Sequence, residues 1–327
     1  MSGESAALFS TQGEWRAQLK MDKKEGLTIV VLEGMTDWYF WSKMMDSHKI
    51  YITAFKPRQN QKKKNKKKEK MNKAKVIESI YELRHPVYPW RPSRENGIMG
   101  LIDSDYWESP FHSDGYLDEQ LLSVIKDFLV EEGEYKENED LGTKISETRG
   151  DIITTSPNTD RDNIEFHLND IVALIGSVSQ EDLERSILMA KDIGILRALN
   201  DEKQFRLRFK VNNEHKEWRH NCIDNKSMDV SKLLEAVLKR TQQYYKKPKF
   251  DELKHEYESA KRRYEELGLT SVELANGHDI DFCLRYLRDV NTKISPKITF
   301  DSIRDTTLVK KIRDWEEKNK PYCVLPQ

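Results

Sequence analysis

Cysteine is scarce: Cys222, Cys283 and Cys323 are the only three in 327 residues, far apart and without a CxxC spacing. They build neither a disulfide framework nor a zinc site, and a reducing cytosol is the simplest home for such a chain. Long apolar runs are missing too, since nothing approaches the ~20 residues needed to span a bilayer. The opening stretch, MSGESAALFSTQGEWR, has no basic segment followed by an apolar core, so no secretory signal is expected. No internal repeat is visible. The expectation is a cytoplasmic protein with no membrane partner.

Charge, by contrast, is abundant. Lys and Arg number 55 against 56 Asp and Glu, but they are unevenly spread. The window 62–75, KKKNKKKEKMNKAK, holds nine lysines and one glutamate, and the rest of the chain carries 46 basic against 55 acidic residues. A body near −9 does not coat itself with nucleic acid indiscriminately. Any polyanion must be drawn to local basic surface against that field.

The length suits about two domains. LTIVVL (27–32) reads as a buried strand, followed by the helical stripe MTDWYFWSKMM, in which Trp38, Tyr39, Phe40 and Trp41 pack on the sheet. KIYITAF (49–55), GIMGLI (97–102) and DIITTS (151–156) are further strands, alternating with helices at KVIESIYELR and YLDEQLLSVIKDFLVEEG. Alternation of this kind predicts an α/β fold with a mostly parallel sheet flanked by helices. From about residue 175 the pattern changes. SQEDLERSILMAKDIGILRALND, SKLLEAVLKRTQQYYKK, DELKHEYESAKRRYEELG, VELANGHDIDFCLRYLRDV and TTLVKKIRDWEEKN read as helices, with QFRLRFKV as a strand. The expected division is a catalytic α/β domain over 1–175, with a Lys-rich insertion at 57–75, and a predominantly helical domain over 176–327. The second domain would serve substrate or partner binding, or dimerisation.

Three of the strands run into acids: Glu33 after the first, Asp103 and Asp105 after the third, and Asp160, Asp162 and Glu165 beyond the fourth. In an open α/β sheet, chemistry lies in the crevice at the carboxyl ends of parallel strands, so these acids would converge there. Asp37, one helical turn past Glu33, faces the same crevice. Two carboxylates ~4 Å apart repel by about 4 kcal/mol at an effective dielectric near 20, so a cluster needs protons or a cation. Oxygen-only ligands select a hard ion, Mg²⁺ or Mn²⁺, and such an ion polarises a phosphoryl oxygen and activates water. Alone, Glu33-Gly34 is an ordinary helix start and Asp103-x-Asp105 a solvated turn. Together, each directly behind an apolar strand, they favour a metal site. Asp160 and Asp162 serve equally well as helix caps.

The pair hhhEGxxD (Glu33, Gly34, Asp37) and hhhDxD (Asp103, Asp105) resembles the TOPRIM domain of topoisomerases, primases and overcoming-lysogenization-defect (OLD) nucleases. The likeness covers about residues 25–170, and Glu108 stands where the family often has a glycine. RDNIEFHL and NGHDIDFCL are further similar to TOPRIM-like proteins encoded beside ABC-type ATPases. The resemblance implies an anti-phage effector nuclease, held inactive by its ATPase and released to cleave RNA, with tRNA as target class, and a possible homodimer when active. It implies Glu33, Asp37, Asp103, Asp105 and Glu165 as ligands of Mg²⁺ or Mn²⁺, with Glu33 doubling as general acid or base. A DNA nuclease, a strand-transfer enzyme or a non-catalytic subunit regulating an ABC-type ATPase are the alternatives. No zinc ribbon of a primase and no topoisomerase DNA-gate module is visible.

Basic and aromatic residues supply candidate nucleic-acid contacts. Lys56, Arg58, Lys62, Lys63 and Lys64 follow the second strand and would engage phosphates near the crevice, or form a solvated loop. Tyr244 with Lys246 and Lys247 suits base stacking beside phosphate binding, or ordinary packing at a helix end. His278 and Asp279, after Gly277, are a further candidate pair. The resemblance assigns them no role.

Overall fold

The structure is a computed structural model that describes residues 6–9, 28–45, 50–55, 72–85, 97–103, 107, 110–137, 139–155, 178–207, 209, 220–241, 248–289, 300–319 and 325. The chain forms two compact units. The first comprises residues 1–103, 115–155 and 299–327, and the second 104–114 and 156–298. This differs from a single cut near 175, because the last segment returns to the first unit.

The first unit is built on a five-stranded sheet in the order β1-β3-β2-β4-β5, with every pairing parallel. The strands are β1 (Ala6–Phe9), β2 (Thr28–Leu32), β3 (Ile50–Phe55), β4 (Ile98–Asp103) and β5 (Ile152–Thr155). Ile29, Val30, Val31 and Leu32 are all fully buried. A continuous β-branched run of that kind belongs at the centre of a sheet covered on both faces. The covering helices are α1 (Met35–Met44), α2 (Asn72–Arg84), α3 (Tyr116–Glu132) and α4 (Gly142–Gly150).

From β2 the chain crosses to β3 through α1. It then returns over β2 through α2 to reach β4, and continues outward to β5. Right-handed crossovers therefore put α1 on one face and α2, α3 and α4 on the other. The latter three helices pack on one another. The α2 helix settles on β4 where Gly100 makes room. A Cβ there would lie 3.0 Å from Ile80 and 3.1 Å from Val76 side-chain atoms. Below the sheet's other end, Arg84 donates two hydrogen bonds to Asp151, one of them 2.6 Å long. Burial pushes the Asp151 carboxyl above its ordinary range, while Arg84 pulls it down. The returning segment contributes Phe300–Ile303 and Thr307–Asn319. Lys311 Nζ in the latter donates to the Thr154 carbonyl at 3.0 Å.

The second unit is helical, as expected for this part of the chain. Its spine is α5 (Gln180–Lys203), joined by α6 (Val230–Arg240), α7 (Phe250–Glu266), α8 (Ser271–Leu274) and α9 (Gly277–Leu287). We label the two helices of the returning segment α10 and α11. α8 and α9 both pack on α5, and Gly194 permits the contact. A Cβ at that position would stand 1.7 Å from the Leu274 carbonyl oxygen. Across α5 and α7, the Tyr257 hydroxyl donates to Asp192 at 2.6 Å, and burial raises the Asp192 carboxyl above its ordinary 3.8.

Three local readings are corrected. The described part of QFRLRFKV is not a strand: Leu207 N–H donates to the Asn200 side chain, and Arg206 sits at φ 57°, which breaks an extended run. VELANGHDIDFCLRYLRDV is two helices, split at Ala275-Asn276, with Asn276 capping the second. The Lys-rich insertion ends earlier than residue 75, because α2 starts at Asn72 and takes in Lys73 and Lys75. Strand β1, helix α4 and a short hairpin (Ile223–Asp224 with Ser227–Met228) were not anticipated.

Candidate carboxylate site

The connections leaving β2 and β4 run to opposite sides of the sheet, β2 towards β3 and β4 towards β5. Such a divergence opens a crevice between the carboxyl ends of the two strands, where open α/β sheets place their ligands. Glu33 and Asp103 stand on its two lips. In the β2–β4 register Leu32 pairs with Leu101, so both acids follow at the same edge.

Glu33 could have been a simple helix cap. It is not: the N-cap of α1 is Gly34, in an extended conformation and with no side-chain cap hydrogen bond. The Glu33 carboxylate instead turns across to the neighbouring strand. Its Oε1 accepts a hydrogen bond from the Asp103 backbone N–H at 2.7 Å. One such bond fixes the side chain without exhausting a carboxylate's acceptor capacity on two oxygens. Asp37 lies in the first turn of α1, and its Oδ2 is 3.8 Å from where a Cβ on Gly34 would be. The carboxylate is thus folded back over the helix start, where the helix dipole favours negative charge. Glu33, Asp37 and Asp103 are each half-buried.

The chemistry of this donor set fits a hard divalent ion, because it offers carboxylate oxygens alone. Among the described residues, however, no group of three or more His, Cys, Asp or Glu side chains is arranged to hold a metal ion. The other expected ligands, Asp105 and Glu165, lie outside the described residues, as do Asp160 and Asp162. So do Lys56, Arg58, Lys62, Lys63 and Lys64, and the group Tyr244, Lys246 and Lys247.

His278 and Asp279 do not act as a pair facing one way. His278 is exposed in the first turn of α9, where its backbone N–H donates to the Asn276 side chain. Asp279 is fully buried and accepts from Arg197 Nε at 2.8 Å and Nη2 at 3.2 Å. Consecutive helical residues point about 100° apart, which explains the split. Arg197 also stacks over the Phe209 ring, 4.8 Å from its centroid.

A different residue emerges from the lysine run. Lys73, counted above with the solvated insertion, is only 2 % exposed. The signal was its position three and four residues before Val76 and Ile77, on the same helical stripe.

Compared with protein-family models, with curated proteins and with solved structures, the chain matches none. Among the described residues no helix is long and apolar enough to cross a membrane.

Proposed function

We propose that the chain is a Mg²⁺- or Mn²⁺-dependent nuclease of the TOPRIM type, hydrolysing phosphodiester bonds at the carboxyl edge of the sheet. The observation that carries this reading is the meeting of Glu33 with Asp103 at the point where the strand connections diverge. Glu33 and Asp103 would hold the ion, with Asp37, Asp105 and Glu165 completing its shell. The bound ion would supply charge neutralisation at the phosphate and lower the pKa of water. Glu33, which accepts from the Asp103 N–H, would move a proton at the attacking or leaving oxygen.

The substrate we propose is RNA, with tRNA favoured over DNA, and the partner an ABC-type ATPase that holds the nuclease in check in anti-phage defence. Support for these comes from the motif resemblance and from the basic stretch at 56–75. The test is cleavage of tRNA and of duplex DNA under Mn²⁺ or Mg²⁺ titration, with and without the ATPase. Metal-dependent cleavage abolished by Glu33→Gln and by the Asp103→Asn/Asp105→Asn pair is the expected result. Cleavage retained by the double variant overturns the scheme. Absence of cleavage under every activating condition, with tight co-purification of an ATPase, identifies a regulatory subunit instead.

A further inference from the structure

The connection from β4 to α3 runs over residues 104–115, about twice the longest of the roughly 2–6 residues usual in α/β units. The extra length does not stay in the first unit, because residues 104–114 belong to the second. Phe111 is buried in the helical core with Leu199, Leu233, Leu253 and Tyr264. Its ring meets that of Tyr264 edge to face, with centroids 5.2 Å apart. Next to it, His112 Nε2 stands 3.4 Å from the Asp201 carboxylate of α5. A loop residue seated in this way is part of the helical unit's interior.

The anchor matters because of where the chain leaves the sheet. Two stretches of the first unit end at Asp103 and at Thr155, and these residues are register partners in the β4–β5 ladder. Both excursions into the helical unit therefore start side by side at the carboxyl edge. Each start is tied down. The Asp103 N–H donates to Glu33 at 2.7 Å, and the Thr154 carbonyl accepts from Lys311. The first excursion is also short. Phe111 follows Asp103 by eight residues and precedes by four Gly115, whose φ of 90° turns the chain back into α3. Eight residues reach at most about 28 Å. Trp107, halfway along, is itself buried, so the link is unlike a solvated linker.

We propose that Phe111 is a positioning residue for the carboxylate site. Seated in the helical core, it holds the end of β4 so that the Asp103 N–H stays on Glu33. The helical unit thereby acts on the acids through the chain itself, and a ligand that shifts its core shifts them. Constellations of this kind need their side chains within about 0.5 Å of the productive geometry, so a small displacement suffices. The effect on metal binding rests on the nuclease reading above; the effect on the Glu33–Asp103 contact does not.

Hydrogen exchange of the Asp103 amide, followed by NMR, reads the contact directly, because that N–H is the one Glu33 accepts from. Phe111→Leu is compared with Leu253→Val, a change in the same helical core outside the 104–114 segment. Phe111→Met takes its place if the leucine variant does not fold. In Phe111→Leu the Asp103 amide should exchange at least about tenfold faster, while the Val30 and Val31 amides of β2 keep native protection. Leu253→Val should leave all three unchanged. Native exchange at Asp103 in the Phe111 variants overturns the proposal. Equal acceleration by Leu253→Val overturns it too, since any loosening of the helical core would then do the same. Mn²⁺ titration by calorimetry tests the consequence for the metal. Phe111→Leu should bind at least about threefold more weakly than the native chain, and Leu253→Val equally well. Unchanged affinity in Phe111→Leu overturns the effect on the metal. A responsive amide in a chain that binds no Mn²⁺ supports the positioning role and overturns the nuclease reading. An unresponsive amide in a chain that binds Mn²⁺ does the reverse.

Discussion

Replacing Arg197 with methionine should separate a structural Asp279 from a catalytic one. The Asp279 carboxylate is fully buried and receives two hydrogen bonds from Arg197. Methionine keeps an apolar stem but removes both donors and the positive charge. Breaking a buried pair from one side costs about 3–5 kcal/mol. Arg197 is itself 25 % exposed, so water reaching the vacated space brings the figure toward the lower end. Proton uptake by the carboxyl sets a second limit. From an unfolded pKa of about 3.9, neutralising it costs about 4 kcal/mol at pH 7 and about 1.5 kcal/mol at pH 5. The deficit of Arg197→Met against the native chain should therefore be about 3 kcal/mol at pH 7 and below about 2 kcal/mol at pH 5. Urea unfolding at the two pH values measures it. Cleavage by the variant should follow its folded fraction. A deficit under about 1 kcal/mol at pH 7, or one that does not shrink on acidification, would refute the ion-pair account.

Gly194→Val should be among the most damaging single changes in the second unit, because even a Cβ would collide with the Leu274 carbonyl. A thermal melt showing native stability would refute the close crossing of α5 and α8. Asp192 makes a pH prediction. Its carboxyl is raised above 3.8 by burial, so the folded state binds the proton more tightly than the unfolded one. Stability then falls as pH rises from about 3.8 through the raised value. Asp192→Asn keeps an acceptor for Tyr257 and should flatten this part of the stability-pH curve, an outcome read from urea midpoints across pH 3–6 at roughly half-unit steps. A fragment ending at residue 175 should fail to melt cooperatively, because it lacks the α11 helix that packs on β5 and anchors Lys311 on Thr154. A sharp transition in that fragment would count against the division of the chain described here.

Much of the fold was legible where local pattern and long-range packing agree. LTIVVL is readable as a central strand because all its side chains but Thr28 are apolar and most are β-branched, and the core it joins needs just that. Ala6–Phe9 is different: four residues with no β-branching become a strand only by pairing with β3, in the register Ala6 to Ile52. The alternation in QFRLRFKV is real, since Leu207 and Phe209 are both buried. The left-handed Arg206 just before Leu207, which no pattern announces, breaks the strand. The site was half legible. Glu33 and Asp103 were singled out because acids directly after apolar strands stand out, and the structure joins them through one hydrogen bond, whereas the burial of Lys73 was hidden among eight other lysines of its window. Only the helical phase of α2 distinguishes it. Asp279 likewise looked reactive beside His278 because its partner, Arg197, lies 82 residues away.

The central claim is that Glu33 and Asp103 share one divalent ion at the sheet edge. The most direct measurement is anomalous diffraction from crystals grown with Mn²⁺. A manganese peak within bonding distance of both carboxylates, lost in Asp103→Asn, is the predicted result. A fully occupied manganese site elsewhere, with the crevice between β2 and β4 holding none, would contradict it.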